Sequence, residues 1–383
     1  MDVHYQCSTV AFRDHRAKLV GRERLDHRDR AALFRRLSRW PKGLPVVLEA
    51  SFGRGWLSDL MVEAWLEVHL SNGLKVEQMR KARGIAKTYK KDAGLVSRLA
   101  FGSEAWWEVW RPPGAVREHR ELLRYRADLV ASQTQTKNRI HALFHRQGVF
   151  HEFSDLFGAQ GREFLARLCR EGSGYLSEMG RCVLEGHVRQ LDRVRHELAE
   201  VGHRLHGRLT VDPLIARLKT VPGFGLILSH VLVAEIGELG RFPNQRHLAS
   251  YCLLAPIARD SGEEDPQERP QGRRLGYRGN RTLKWAFIEA AHAAVRKDPR
   301  LRELFDRHTQ GGKANRGRGY IKVARELVKI VYAVWRDERT YWMNPVTPPP
   351  QGPGQARSEA SAGTQRHARS GTGRPKHPMV VVG

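Results

Sequence analysis

The first hundred residues carry short apolar runs separated by polar and amphipathic stretches. Val3–Phe12 alternates weakly between apolar and polar positions, which predicts a β-strand with Asp2 at its head, followed by a turn and return strand from residue 13 to 19. Residues 45–50 predict a compact apolar strand that ends in Glu49 and Ala50. A buried strand seldom accepts a glutamate unless the charge meets an open edge or a cation, so Glu49 is a candidate functional residue.

Helical patterns separate the strands of this region. Residues 29–40 predict a first helix, and a second one follows Gly55 with Trp56, Leu57, Leu60 and Met61. Leu66–Leu70 predicts the next strand, and residues 87–100 predict a further helix. Strands that alternate with helices indicate a parallel or mixed α/β sheet, which is compatible with an RNase H-like fold.

Two long leucine-rich stretches follow. Residues 116–144 predict one long helix, in which positions seven apart are Leu122, Leu129, Thr136 and Leu143. The second stretch repeats at the same interval with Leu184, Leu191, Leu198 and Leu205, and places Val194 and Val201 at the alternate core position. This spacing predicts a helical coiled-coil hairpin. The two helices either pair antiparallel within one chain or use the leucine seam to join subunits.

The stretch from 218 to 342 predicts a mainly α domain with glycine-rich loops. A Pro222-Gly223-Phe224-Gly225 turn precedes a long apolar run, and its backbone N–H groups suit a phosphate oxygen. Two amphipathic helices follow, separated by a basic loop at 311–319. Their apolar stripes are Leu283, Ala286, Phe287, Ala290 and Ala294 on the first helix, and Ile321, Ala324, Leu327, Val328, Val331 and Trp335 on the second.

These patterns divide the chain into four parts. Residues 1–110 are expected to form the α/β domain, and residues 111–210 the coiled-coil region. Residues 211–342 form the mainly α domain. Residues 343–383 are rich in Pro, Gly, Ser and Arg and almost free of apolar residues, which predicts a disordered basic tail.

The charge of the chain indicates its partner. Lys and Arg number 66 against 41 Asp and Glu, a formal net charge of +25 spread along the sequence. Nucleic acid is the expected polyanion, because neutralised phosphates release counterions, and affinity should fall steeply with salt. No run is long and apolar enough to span a bilayer, and no leader opens the chain, so we expect a cytoplasmic protein without a membrane partner.

Basic side chains around the predicted helix starts are the expected nucleic-acid contacts, together with the two turn glycines. They are Lys87, Lys90, Lys91, Gly223, Gly225, Arg278, Arg281, Lys284, Lys322 and Arg325.

Neither cysteine nor histidine spacing predicts a metal site. The pair His141 and His145 lies four residues apart on a predicted helix, and without a third ligand a packing or surface role is the better interpretation. A disulfide framework or zinc knuckle is not expected, because no C-x-x-C spacing occurs among the four cysteines Cys7, Cys169, Cys182 and Cys252.

The carboxy-terminal motifs resemble those of insertion-sequence-110 family transposases, also called the 116/110/902 family. Many landmarks occur in one order, which makes the resemblance specific, and it covers roughly residues 1–342. They are Pro222-Gly223-x-Gly225, Glu235-Ile236-Gly237, Arg241-Phe242, Leu248-Ala249-x-Tyr251, Ala255-Pro256, Ser261-Gly262 and Gly279-Asn280-Arg281-x-Leu283.

The resemblance implies a RuvC-like amino-terminal domain with four acidic metal ligands in the order Asp, Glu, Asp, Asp. Asp2, Glu49 and Asp92 match the first, second and last of these, and Mg²⁺ is the implied cofactor. The third position falls on Tyr89. A phenol has an ordinary pKa near 10 and is a poor magnesium ligand. Members of the family usually have several strand residues ahead of the first acid, so the position of Asp2 implies a truncated first strand, and these two departures put the metal site in question.

The resemblance also implies that Ser261 is a nucleophile, although a Ser-Gly pair by itself predicts only a turn. The implied function is a DNA transposase or recombinase that mobilises an insertion sequence by strand cleavage and exchange. Its partners are DNA, a structured guide RNA and further copies of the chain, as a dimer or tetramer. Two alternatives stay open: a RuvC-like structure-specific nuclease that does not need Ser261, and a decayed copy that binds nucleic acid without catalysis.

Overall fold

Five short strands form two sheets in the described part of the amino-terminal region, in the computed structural model of the chain. The structure describes residues 1–50, 55–85, 89–99, 108–171, 176–209, 212–256, 275 and 279–341, without the side chains of 89–91, 99 and 208–209. The strands are β1 (Asp2–Val3), β2 (Cys7–Arg13), β3 (Leu19–Asp26), β4 (Pro45–Ala50) and β5 (Glu67–Asn72). β1, β2 and β3 pair antiparallel, whereas β4 and β5 pair parallel.

The two groups of strands meet at the amino terminus. The ammonium group of Met1 donates a hydrogen bond of 2.8 Å to the carbonyl of Val47 in β4. This bond and the contacts between β1 and β4 bring the two sheets side by side, in the spatial order β3-β2-β1-β4-β5, and the pair is called the sheet below. The α/β character predicted from the alternation of strands and helices is confirmed.

The prediction of one strand over Val3–Phe12 is wrong, because a tight turn divides it into β1 and β2. The N–H of His4 donates to the carbonyl of Cys7 at 2.8 Å and closes this turn. Val3 and Val10 consequently point into the same core, although an unbroken strand would place residues seven apart on opposite faces. This turn explains why apolar and polar residues alternate only weakly over Val3–Phe12.

Helices cover both faces of the sheet. On one face lie α1 (Arg30–Leu37) and α2 (Gly55–Glu63), which bury Leu33, Leu37, Leu57 and Met61 against Leu48. On the other face lie α3 (Gly73–Ala82) and α4 (Tyr89–Leu99), where Val47, Val76, Leu95 and Val96 form a smaller core. The sequence did not predict α3, because Val76 is its one buried residue.

The two predicted long helices lie side by side within the chain. They are α5 (Gly114–Gln147) and α7 (Glu178–Leu209), and α6 (Ala159–Glu171), which was not predicted, packs beside α7. The end of α5 packs with the start of α7 and the start of α5 with its end, so the helices run antiparallel. The regularly spaced leucines Leu184, Leu191 and Leu205 are buried. Coiled-coil packing between α5 and α7 stays a prediction.

The carboxy-terminal region is mainly helical, as predicted. It contains α8 (Pro213–Leu218), α9 (Leu226–Ile236), α10 (Gln245–Tyr251), α11 (Arg281–Lys297), α12 (Pro299–Thr309) and α13 (Arg316–Arg336), with a 3₁₀ turn at Leu239–Arg241. These helices share one core, and the predicted stripe of α11 is completely buried. Within the predicted stripe of α13, the residues Ala324, Leu327, Val328 and Val331 are completely buried.

Close backbone contacts hold this helical core together. Gly223 has a positive φ of 90°, and a Cβ added there would stand 2.1 Å from the carbonyl oxygen of Ala290. The turn before α9 therefore packs directly on α11 through a position that only glycine can occupy. In the part of the chain that the structure describes, no helix is long and apolar enough to cross a membrane.

Candidate active site and nucleic-acid interface

Asp2 and Glu49 lie on neighbouring strands and face the same side of the sheet. Val3 points into the core under α1 and α2, so Asp2, one residue earlier, points to the other face. Glu49 follows the same rule, because Leu48 faces α1 and α2 whereas Val47 faces α3 and α4. The strand alternation thus brings two of the three predicted acids to the α3 and α4 side.

Asp92 lies in the first turn of α4, the helix that covers this side. It precedes Leu95 and Val96 by about one turn, and these two residues pack with Val47 in the smaller core. The pKa of Arg80 is raised above its ordinary value, first by hydrogen bonds to Glu77, and the charge of Asp92 adds to the effect. The Asp92 carboxylate is therefore close enough to the Arg80 guanidinium to interact with it electrostatically.

The carboxylates have close neighbours of their own. Asp2 is buried, and its Oδ2 lies 2.9 Å from the Nε2 of His4. The Glu49 carboxylate lies against the first turn of α3, where a Cβ added to Gly73 would stand 2.6 Å from Oε1. The amino-terminal end of a helix favours such a negative charge.

These acids fit a divalent cation by type, because Mg²⁺ prefers carboxylate oxygens. Their placement fits in part: Asp2 and Glu49 share a face, and Asp92 is on the helix above it. Among the described residues, however, no three His, Cys, Asp or Glu side chains are grouped closely enough to hold one ion. The Tyr89 backbone belongs to α4, but its side chain lies outside the described set.

A cleft of 750 Å³ opens beside Glu49, between the sheet, α2 and α5. Trp56 and Trp110 line it as aromatic walls, and Asp59 forms ion pairs with Arg111 and Arg117 at its side. Further basic side chains along the same wall are Arg30, Arg120 and Arg124. Cations and aromatic rings around a carboxylate suit a phosphate backbone and its bases.

The α5 arginines of this cleft were missed by the sequence analysis. Arg117, Arg120 and Arg124 are spaced by three and four residues, so they lie on one side of the helix. That spacing is the signal that could have found them. The apolar heptad of the same helix is the stronger pattern and masks this spacing.

A buried polar network joins α5 to the carboxy-terminal region. The Glu235 carboxylate accepts a hydrogen bond of 2.7 Å from the Asn280 amide and lies 3.6 Å from Arg120 Nε. Asn280 also caps α11, since its Oδ1 accepts from the N–H of Leu283. Burial lowers the pKa of Arg120, and the charge of Glu235 opposes this shift. Glu235 and Asn280, both part of the recognised motifs, thus have structural roles.

Trp110 is held between two guanidinium groups. Arg241 lies over its ring at 4.3 Å from the centroid and Arg120 at 5.5 Å, a cation–π arrangement. The ring also packs on Gly237, whose φ is 68° and where an added Cβ would stand 2.2 Å from the indole. These contacts explain why glycine and arginine occur in the Glu235-Ile236-Gly237 and Arg241-Phe242 motifs.

A second basic surface follows one side of α13. Lys322 and Arg325, two predicted contacts, lie there with Arg318. The pKa of Lys322 is lowered, first by burial and then by the charges of Arg325 and Arg318. The pKa of His308 is also lowered, first by burial and then by Lys322, Arg307 and Arg318. Cations gathered along one side of a helix form a surface that a polyanion would stabilise.

The other predicted nucleic-acid contacts differ in their exposure, and some of them lie outside the described residues. Gly223 is explained by its packing on α11, whereas Gly225 is exposed at the start of α9. Arg281 is exposed at the first position of α11, and Lys284 is half-buried one turn later. Outside the described set are Lys87 and Arg278, the side chains of Lys90 and Lys91, and the tail at 343–383.

Ser261 also lies outside the described residues. The described residues nearest to it in sequence are held together: Pro256 and Leu275 form an antiparallel bridge. The N–H of Asn280 donates to the carbonyl of Tyr251 at 2.7 Å, and Gly279 packs on the same carbonyl.

An α/β sheet with two acids on one face, joined to a helical region with basic surfaces, suits an enzyme that acts on nucleic acid. Two family models match the chain. A DEDD transposase model of the IS110 type, described as "Transposase", matches residues 1–147, and "Transposase IS116/IS110/IS902 family" matches residues 215–306. The chain belongs to the IS110/IS116/IS902 family of transposases.

Relatives support the same assignment. The chain is 32% identical over 152 residues to an uncharacterized protein of insertion element IS110 from Streptomyces coelicolor, which covers 39% of this chain and 36% of that protein. It is 27% identical over 313 residues to an uncharacterized protein of insertion element IS116 from Streptomyces clavuligerus. The match covers 70% of this chain and 76% of that protein. A pilin gene-inverting protein of Moraxella bovis is 30% identical over 159 residues, covering 39% of this chain and 48% of its own length.

Proposed function

We propose that this protein is a DNA transposase that mobilises an insertion sequence by strand cleavage and exchange. The observation that carries the proposal is the common orientation of Asp2 and Glu49 toward the α3 and α4 side, with Glu49 at the edge of an arginine-lined cleft. Acids that meet beside cations suit phosphodiester chemistry, because the cations bind the strand while the acids act at the scissile phosphate. The family assignment supports the same reaction class.

Magnesium is the proposed cofactor, with Asp2, Glu49 and Asp92 as its protein ligands. DEDD families generally use a divalent metal, and these three acids lie on adjoining elements. When bound, the metal would neutralise phosphate charge and help to generate a nucleophile. The residues of the chain would hold and orient the strand, with Arg117, Arg120 and Arg124 as backbone contacts.

Ser261 is the proposed nucleophile. Its hydroxyl oxygen would attack the scissile phosphorus and form a phosphoserine bond, while the leaving strand departs as a 3′- or 5′-hydroxyl end and takes up a proton. The support is its place in the Ser-Gly motif and the anchoring of Pro256 to Leu275. A further copy of the chain or a guide RNA would complete the assembly, and the long helices are the proposed contact between subunits.

The experiment is a cleavage and strand-transfer assay with Ser261→Ala on the DNA ends of the element. We expect a loss of the covalent protein–DNA product and of strand transfer, with duplex binding retained. Cleavage that survives in Ser261→Ala would instead support a RuvC-like nuclease that uses the acids alone. If the native chain is inactive and Tyr89→Asp gains activity, the chain is an impaired copy of the same enzyme.

A further inference from the structure

A second groove lies on the other side of α5 from the Glu49 cleft. It has a volume of 490 Å³ and is formed by α5, α9 and α11. Leu123, Ala127 and Val130 of α5 and Ile227 and Val231 of α9 make its floor. Its volume lies within the range of small-ligand sites, about 300–1,000 Å³.

Trp285 of α11 forms one wall of this groove. It is 48% exposed, and Val130 opposite is 37% exposed, although both side chains are apolar. Most tryptophan side chains of globular proteins bury more of their surface. An open indole face beside an apolar floor is a platform on which a flat, apolar group can stack.

The rim of the groove is cationic. Arg124, Arg126 and Arg281 line it, and within the described part of the chain none of the three forms an ion pair with a carboxylate. Arg126 is half-buried, and this burial lowers the pKa of its guanidinium. A half-buried cation without an acidic partner is stabilised by an anion that enters with the ligand.

The groove continues the Glu49 cleft. Arg120 and Arg124 line both the groove and the cleft, and these two cavities lie on different sides of α5. A strand whose phosphates follow these two arginines would reach the Trp285 groove within a short distance of the acids. A second copy of the chain placing the same groove opposite this one is disfavoured as the occupant, because the rim arginines of the two copies would face each other.

We propose that this groove captures an unpaired nucleobase, stacked on Trp285, with its phosphates held by Arg124, Arg126 and Arg281. The inference rests on the proposed function, because the strand in the cleft supplies the base. Paired bases expose only their edges, so a base must leave the duplex stack before its face can meet the indole. The site would therefore select bulged, flipped or single-stranded nucleotides next to the cleavage position.

The test compares two probes on the full chain: a fully paired duplex, and the same duplex with one bulged 2-aminopurine, in DNA and in RNA. Trp285→Leu removes the ring but keeps an apolar side chain, and Trp285→Phe keeps an aromatic face. Trp65→Leu is the matched control, because Trp65 is also exposed, beside Lys42, and lines neither the groove nor the cleft. Affinity and 2-aminopurine fluorescence are measured together.

We expect Trp285→Leu to bind the bulged probe about tenfold more weakly, with the paired duplex changed less than about twofold. Trp285→Phe should restore most of the loss, Trp65→Leu should match the native chain, and native binding should quench the 2-aminopurine. The nucleic-acid type that shows these effects is the source of the base.

Four results would overturn the inference. Equal loss on both probes, or no loss on either, removes Trp285 as a stacking site while duplex binding still supports the proposed function. A change of oligomer mass in Trp285→Leu, seen by light scattering, would assign the groove to a subunit contact. A native chain that binds neither probe would overturn the proposed function as well.

Discussion

The amino-terminal α/β region and the carboxy-terminal helical region bury their cores in different ways. In the first, the sheet divides the apolar residues into a larger cluster and a small one around Val47, and Met1 links β1 to β4 through its ammonium group. In the second, all helices share one cluster, with Ala290 and Ala294 completely buried between them. The amino-terminal region has polar side chains at its strand ends, whereas the helices of the carboxy-terminal region pack closely around one core.

This difference separates the candidate reactive residues from the residues that hold helices together. The candidate acids Asp2 and Glu49 lie where strands end, whereas the recognised carboxy-terminal motif residues Gly223, Glu235 and Asn280 hold helices together. Motif residues of one chain can therefore have two kinds of role. Strand ends are where we propose the reactive groups, and the close helix contacts use glycine, asparagine and a buried acid.

The largest expected difference is between matched leucines of the two cores. Leu327→Ala in the shared helical core should lower the free energy of unfolding by about 4–5 kcal/mol, because the surrounding helices cannot collapse onto the cavity. Leu95→Ala in the small cluster should cost about 2–3 kcal/mol. Denaturant unfolding of both variants measures the difference. Equal costs, or the reverse order, would contradict the comparison of the two cores.

A smaller effect is expected at Gly223. Gly223→Ala should cost about 2–4 kcal/mol, because the new methyl group meets the Ala290 carbonyl and the φ of 90° strains any other residue. Gly186→Ala is the control, since nothing lies within 4 Å of its Cβ position in α7. Thermal unfolding should show a stabilised control, by about 0.5–1 kcal/mol. A neutral Gly223→Ala would show that the turn yields easily.

The smallest effect concerns the pH dependence of the Glu77–Arg80 pair in α3. Hydrogen bonds from Arg80 lower the pKa of Glu77 from its ordinary 4.5 to about 2. The pair should therefore stabilise the fold above pH 4.5, and this contribution should vanish as the pH falls through about 2. Native and Glu77→Gln chains should differ slightly in unfolding free energy at pH 6 and converge in acid. A gap that widens in acid would contradict the sign of the shift.

Local periodicity predicted the elements whose burial is local. The bounds Pro45–Ala50 of β4 and the buried stripes of α11 and α13 followed from the spacing of their own apolar residues. The helix α6 and the division of Val3–Phe12 did not, because contacts distant in sequence decide them. A turn that reverses a strand within three residues leaves only a phase shift in the pattern.

The candidate site was predictable only in part. The sequence and the family resemblance pointed to Glu49, and the fold adds that Asp2 lies on the same face. The arginine wall of α5 and the Trp285 groove depend on how α5 lies between the sheet and the carboxy-terminal helices. Such packing has no local signature beyond the spacing of the arginines.

The central claim is that Glu49 acts in catalysis from the strand end beside the cleft, and cleavage of the element's DNA ends tests it most directly. Glu49→Gln keeps the shape of the side chain and removes its charge, and Glu67→Gln makes the same change at the exposed start of the paired strand β5. The account predicts that cleavage by Glu49→Gln falls by about 100-fold or more with unchanged DNA affinity and stability, while Glu67→Gln stays within about twofold of the native chain. Cleavage by Glu49→Gln at the native rate would contradict the account.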